Sequence, residues 1–185
     1  MSKVITFSRF FPSTHPRKGE PTYFVEKVLT SVHPKVSYHI ENIADLVGNN
    51  LPLPLSIDEL LNHEVWGNCK PKFHTIRAGN RWKVGDYFSP RVWSGKPYQS
   101  KQIILAPDIE IKKVWDFEIK MAYKELPLDY DTYIIIDHRF YHTDDEIMKQ
   151  LSQNDGLSLA ELLQWFKYPK EFRGQILCWS NEVNY

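Results

Sequence analysis

Residues 109–119 place Ile109, Ile111, Trp115, Phe117 and Ile119 on one side of an extended chain, and Glu110, Lys112, Asp116 and Glu118 on the other. A period of two is the mark of a strand with one face buried and one in water, which is how antiparallel sheets are built. Such a strand needs hydrogen-bonding neighbours and an apolar layer to cover its buried face. The neighbours are visible as runs at 4–7, 73–77, 87–93, 98–105, 131–136 and 174–179, rich in β-branched and aromatic residues and bounded by turn formers. The covering helices are short. Phe24, Val25, Val28, Leu29 and Val32 recur at the spacing of one buried helical face, and Pro34 ends that helix. Three Ser/Thr-x-x-Glu pairs, Ser56 with Glu59, Thr143 with Glu146 and Ser158 with Glu161, each announce a further helix through reciprocal capping. Residues 33–55 follow neither period, and their Leu-Pro-Leu-Pro-Leu run excludes a regular helix or central strand; a long loop with a short strand at 36–40 is expected. The class predicted is α+β, with the strands forming a partly closed antiparallel barrel flanked by small helices.

At 185 residues, 42% of them apolar, the chain is long enough to bury a sizeable core as one domain. No run has the apolar length of a membrane span, and the first residues lack the apolar centre of a signal peptide, so a soluble, cytoplasmic protein without membrane contact is expected. Cys69 and Cys178 form no C-x-x-C pair, which argues against a zinc knuckle or a disulfide framework. His138 and His142, near Asp137, would need a helix to share a metal, whereas this segment reads as a strand end; no metal is expected. The phosphate-cradling P-loop, the dinucleotide glycine pattern and the G-x-S-x-G elbow do not occur, and no cofactor is expected.

Charge is distributed unevenly. The 23 basic and 23 acidic residues cancel over the whole chain, but between Lys70 and Lys101 eight basic residues face a single acid, Asp86. Phe73, Trp82, Tyr87, Phe88, Trp93 and Tyr98 are interleaved with them. Cations beside flat π faces suit a groove that holds a phosphodiester backbone and stacks a base; they equally suit the exposed face of a sheet. Trp82 and Trp93 are either stacking platforms or, respectively, a loop anchor and a core residue.

Within this block, Lys72-Phe-His-Thr75-Ile-Arg77 followed by Arg81-Trp-Lys-Val-Gly-Asp86 resembles the signature of the ASCH domain, one of the PUA-like barrels. Residues 154–166 and 172–179 resemble that family's late helix and final strand. The resemblance spans most of residues 66–181 and implies a single PUA-like domain over 1–185, with 33–62 as an insertion. It also implies a ligand drawn from RNA or its components. Small bacterial members are amidohydrolases that deacetylate acetylcytidine with a Lys, a Thr and a Glu. The matching positions here are Lys72, Thr75 and Asp155, the last a carboxylate one methylene shorter.

Amide hydrolysis needs a nucleophile, a proton donor for the leaving amine and a cationic or hydrogen-bonding group at the developing oxyanion. Thr75 can attack or position water, Lys72 can act as base if it is buried near Arg77, and Asp155 can orient a group or carry a proton. Side chains three apart on a strand face opposite ways, so Lys72 must precede the strand proper. Ligand contacts are expected from His74, Arg77, Arg81, Trp82, Lys83 and Trp93. Three functions remain in play: RNA or nucleoside recognition, hydrolysis of an acylated pyrimidine nucleoside, and an interaction module whose basic face meets an acidic protein.

Overall fold

The computed structural model describes residues 2–32, 70–123, 130–167 and 171–185. The loop expected at 33–55 and the helix expected after Ser56 lie outside the described residues. The fold is α+β, with two mostly antiparallel sheets and a few short helices. The chain forms two compact units: one from Met1–Phe11, Arg17–Lys72 and Asp86–Glu110, the other from Pro12–Pro16, Phe73–Gly85 and Ile111–Tyr185.

The first unit holds strands β1 (Lys3–Thr6), β3 (Tyr87–Trp93), β4 (Gln102–Ile104) and β5 (Ile109–Glu110) with helix α1 (Phe24–Val32). β3 is its centre. It pairs parallel with β1, Lys3 opposite Phe88 through Thr6 opposite Arg91, and antiparallel with β4 and β5. The predicted stripe of α1 is the buried one, with Val25, Val28 and Leu29 each no more than 1% exposed. They join Ile5, Phe7, Phe88, Val92 and Leu105 in the unit's apolar core.

The second unit is a five-stranded sheet in the order β2-β9-β6-β7-β8. Its strands are β2 (His74–Ala78), β6 (Lys113–Tyr123), β7 (Tyr130–Ile136), β8 (Arg139–Tyr141) and β9 (Glu171–Cys178). Helices α2 (Glu146–Asn154) and α3 (Leu159–Trp165) supply Met148, Leu151 and Leu162 to a core shared with Phe117, Ile119, Ile134, Ile136 and Ile176. Phe117, Phe166 and Phe172 form an aromatic cluster with centroids 4.8–6.2 Å apart. Gly174 lies where β9 runs between β2 and β6: a Cβ there would sit 2.1 Å from the Arg77 carbonyl oxygen, so no larger residue fits. Among the described strands neither sheet closes on itself.

Three expectations are corrected. The single strand over 109–119 is broken at Ile111 and Lys112, and its two parts, β5 and β6, belong to different sheets. Lys113 is where the alternation lapses: it stands in an apolar position and donates its Nζ to the carbonyls of Asn181 and Val183. The strand over 98–105 shrinks to β4, because Tyr98 has φ +63 within a hairpin tip. Thr143 is not a cap; Asp145 precedes α2 and accepts the His142 amide at 2.7 Å. The Ser158–Glu161 box forms in both directions.

Candidate functional site

The second unit buries polar groups on both faces of β2 that an apolar core would exclude. His74 is fully buried on β2, Thr75 is 5% exposed and Asp155 7% exposed. Asp155 is brought there by the way α2 ends. Gly156, at φ +77, takes the left-handed step that only a residue without Cβ makes freely, and its amide donates to Gln153 while that of Leu157 donates to Ser152. This Schellman ending reverses the chain directly after Asp155. The Phe73 amide then donates to the Asn154 carbonyl at 2.8 Å, tying the entrance of β2 to the end of α2.

His74 is held through Nε2. Nε2 lies 3.0 Å from the Leu151 carbonyl oxygen, which can only accept, so Nε2 carries the hydrogen. Nδ1 lies 3.6 Å from Asp155 Oδ1. A buried imidazole and a carboxylate thus stand side by side, the ring oriented by its Nε2 bond. Tyr185 packs edge-on against His74 at 5.5 Å, and its hydroxyl accepts from Asn154 Nδ2 at 3.0 Å. Burial, reinforced by the neighbouring Cys178 and Asp155, raises the Tyr185 phenol well above its ordinary value, so it stays a neutral hydroxyl. The Thr75 hydroxyl, on the opposite face of β2 from His74, makes no hydrogen bond to another described side chain.

Lys72 closes a segment of the first unit, one peptide bond before the second begins. It precedes β2, as the spacing to Thr75 requires. It is 1% exposed, its amide donates to the Lys27 carbonyl at 2.9 Å, and its Nζ lies 4.3 Å from the Phe24 ring centroid. Glu26, on the same helix as Phe24, is 3% exposed. Its Oε1 has no hydrogen-bond partner among the described residues, and burial raises its carboxyl above the usual range.

The remaining expected contacts divide between the units. Arg77 is half-buried on β2, and Arg81 and Lys83 are exposed in the turn that follows. Trp82 is an anchor: it is 3% exposed, and its amide and carbonyl are both bonded by the Gln175 side chain, at 3.0 and 3.3 Å. Trp93 is half-buried in the first unit and packs against Tyr98, centroids 5.3 Å apart. His138 and His142 are exposed at either end of β8, and no cluster of metal-ligating side chains occurs among the described residues. The His74–Asp155 pair was hidden from sequence reasoning because some eighty residues separate its members. Glu26 had a signal that was available: a carboxylate flanking the apolar stripe of α1. No helix among the described residues is long and apolar enough to cross a membrane.

Comparisons with protein families, curated proteins and solved structures find no match to this chain.

Proposed function

We propose that the protein recognises RNA or a nucleoside as a PUA-like protein of the ASCH kind. The observation that carries this reading is the burial of all three motif positions: Lys72 is 1%, Thr75 5% and Asp155 7% exposed. Lysine and aspartate are rarely buried to this extent, because taking an ion out of water costs several kcal/mol unless partners compensate. Polar groups retained in such places at the positions of a binding motif are candidates for ligand contact. The exposed cations Arg81 and Lys83 supply attraction for a phosphate backbone. Calorimetric titration with cytidine, acetylcytidine and a short RNA tests the reading. Wild type binds at least one of them, and Thr75→Val, which removes a hydroxyl with little change of shape, weakens that binding about tenfold. No heat from folded wild-type protein with any of the three rejects the reading.

A second reading, hydrolysis of an acylated pyrimidine nucleoside, is favoured by the hydroxyl of Thr75, which stands at the motif position where the resemblance implies the nucleophile. In it Thr75 attacks or positions water and Lys72 is the base, while Asp155, which stands with His74 on the face of β2 opposite Thr75, has the part of orienting that ring. Acetylcytidine turnover that disappears in Lys72→Ala supports it; turnover unchanged by that substitution ends it.

A further inference from the structure

We propose that the open side of the β3–β4 hairpin is a platform for single-stranded RNA, with Trp93 and Tyr98 as the stacking surface, Tyr87 and Arg91 beside them and Lys96 and Lys101 at the tip. This rests on the reading above that the ligand is RNA or a nucleoside, and adds a surface for the strand in the first unit. Alternation along β3 puts Tyr87, Ser89, Arg91 and Trp93 on one face, with Ser89 buried, and the registers with β4 and β5 add Gln102, Ile104 and, opposite Tyr87, Glu110. The face is rich in rings that the core does not use: Tyr87 is 51% and Tyr98 89% exposed, and Ile104 is 46% exposed. The hairpin itself, residues 91–104, contains three cations and no acid, and the acid that reaches this face, Glu110, lies at its far end opposite Tyr87. Lys96 and Lys101 form no ion pair with a described residue.

The hairpin tip is built to hold Tyr98 where it is. The Ser94 amide donates to Lys101 O at 2.8 Å, the Gly95 amide to Ser100 Oγ at 2.9 Å, Ser100 Oγ to Lys96 O at 3.0 Å and the Gln99 amide to Lys96 O at 3.1 Å. Within this frame Tyr98 takes φ +63, a conformation that is costly for a side chain of its size. It sets the ring against Trp93 at 50°. Arg91 is fixed in turn, donating to Ser89 Oγ and to Gln102 Oε1, each at 3.2 Å. Aromatic rings held rigid before a ligand arrives lose little freedom on binding, so their stacking appears as affinity. Charge selects a polyanion, and flat exposed rings select one whose bases are unpaired, since a duplex hides its base faces.

The test is fluorescence anisotropy of a labelled 12-nucleotide oligouridine with the full chain over a salt series, alongside calorimetric titration with cytidine. Tyr98→Ala, a change at an exposed ring, weakens oligouridine binding about tenfold. The double variant Lys96→Glu, Lys101→Glu weakens it and makes the logarithm of affinity fall less steeply with salt. Cytidine binding is unchanged in both. The proposal is overturned if either variant binds oligouridine as wild type does, if a duplex RNA of the same length or oligothymidine binds equally well, or if Tyr98→Ala abolishes cytidine binding too. Absence of cytidine binding in wild type, with oligouridine binding lost in both variants, rejects the nucleoside site and upholds the platform.

Discussion

Glu26 illustrates what a single residue can contribute against stability. Burial raises its carboxyl above the ordinary value, so the folded chain holds that proton more firmly than the unfolded chain does. The stabilising contribution is then complete below the unfolded pKa and is lost as pH rises through the folded one. Glu26→Gln is expected to raise the melting temperature at pH 7, and the gap should close as the pH is lowered to 4; scanning calorimetry at the two pH values reads this directly. Cys178 follows the same sign at the other end of the scale. Burial pushes its thiol from 9.0 up to about 11. Between those values the unfolded chain releases a proton that the folded chain keeps, so stability falls as pH rises through that window. Native Cys69→Ser protein should accordingly resist iodoacetamide at pH 8 and react with one equivalent once denatured; rapid labelling of native protein would show the thiol to be open. At this scale the site was half legible. Lys72, Thr75 and Asp155 stand out through a motif, but the partnership of Asp155 with His74 is a product of packing and leaves no local pattern.

Elements were legible where a local rule decides them. The stripe of α1 and the reciprocal cap of α3 are written in spacings of three and four, and β3, β7 and β9 in short β-prone runs between turn formers. The rule failed where two local signals competed. Thr143 and Asp145 both qualify as a cap for α2, and the helix starts two residues later than the box implies, with Asp145 at the N-cap position and its side chain bonded back to the His142 amide rather than to the helix. Ser158→Ala should therefore cost about 1 kcal/mol in chemical denaturation, and Thr143→Ala close to nothing. Equal losses would mean that Thr143 caps after all. Non-local demands leave a different trace. Gly174 looks like a weak point of β9 on paper, yet the Arg77 carbonyl oxygen occupies the space a Cβ would take. Gly174→Ala is expected to destabilise by roughly 3 kcal/mol or more, measured by urea titration with unchanged slope.

The whole chain is interwoven. It passes from one compact unit to the other after Phe11, Pro16, Lys72, Gly85 and Glu110, so neither unit is a continuous stretch of sequence. This arrangement was beyond sequence reasoning, which sees runs and periods but not which sheet a run joins; the division of 109–119 between two sheets is the clearest case. A fragment of residues 111–185 keeps β6 to β9 but lacks β2, and Ile176, Leu177 and Cys178 of β9 lose the neighbour that flanks them. Such an uncovered apolar edge recruits other chains. The fragment should elute as aggregates in size-exclusion chromatography, and a monomeric peak would refute this. The parallel pairing of β1 with β3 has a further consequence during synthesis. Lys3 faces Phe88, some 85 residues later. At roughly 5–20 residues per second, the first strand leaves the ribosome about 4–17 s before its partner exists. Helix α1 can form locally in that interval, whereas the Val4-Ile5-Thr6 backbone must wait unpaired, its amides and carbonyls available to any neighbouring nascent chain.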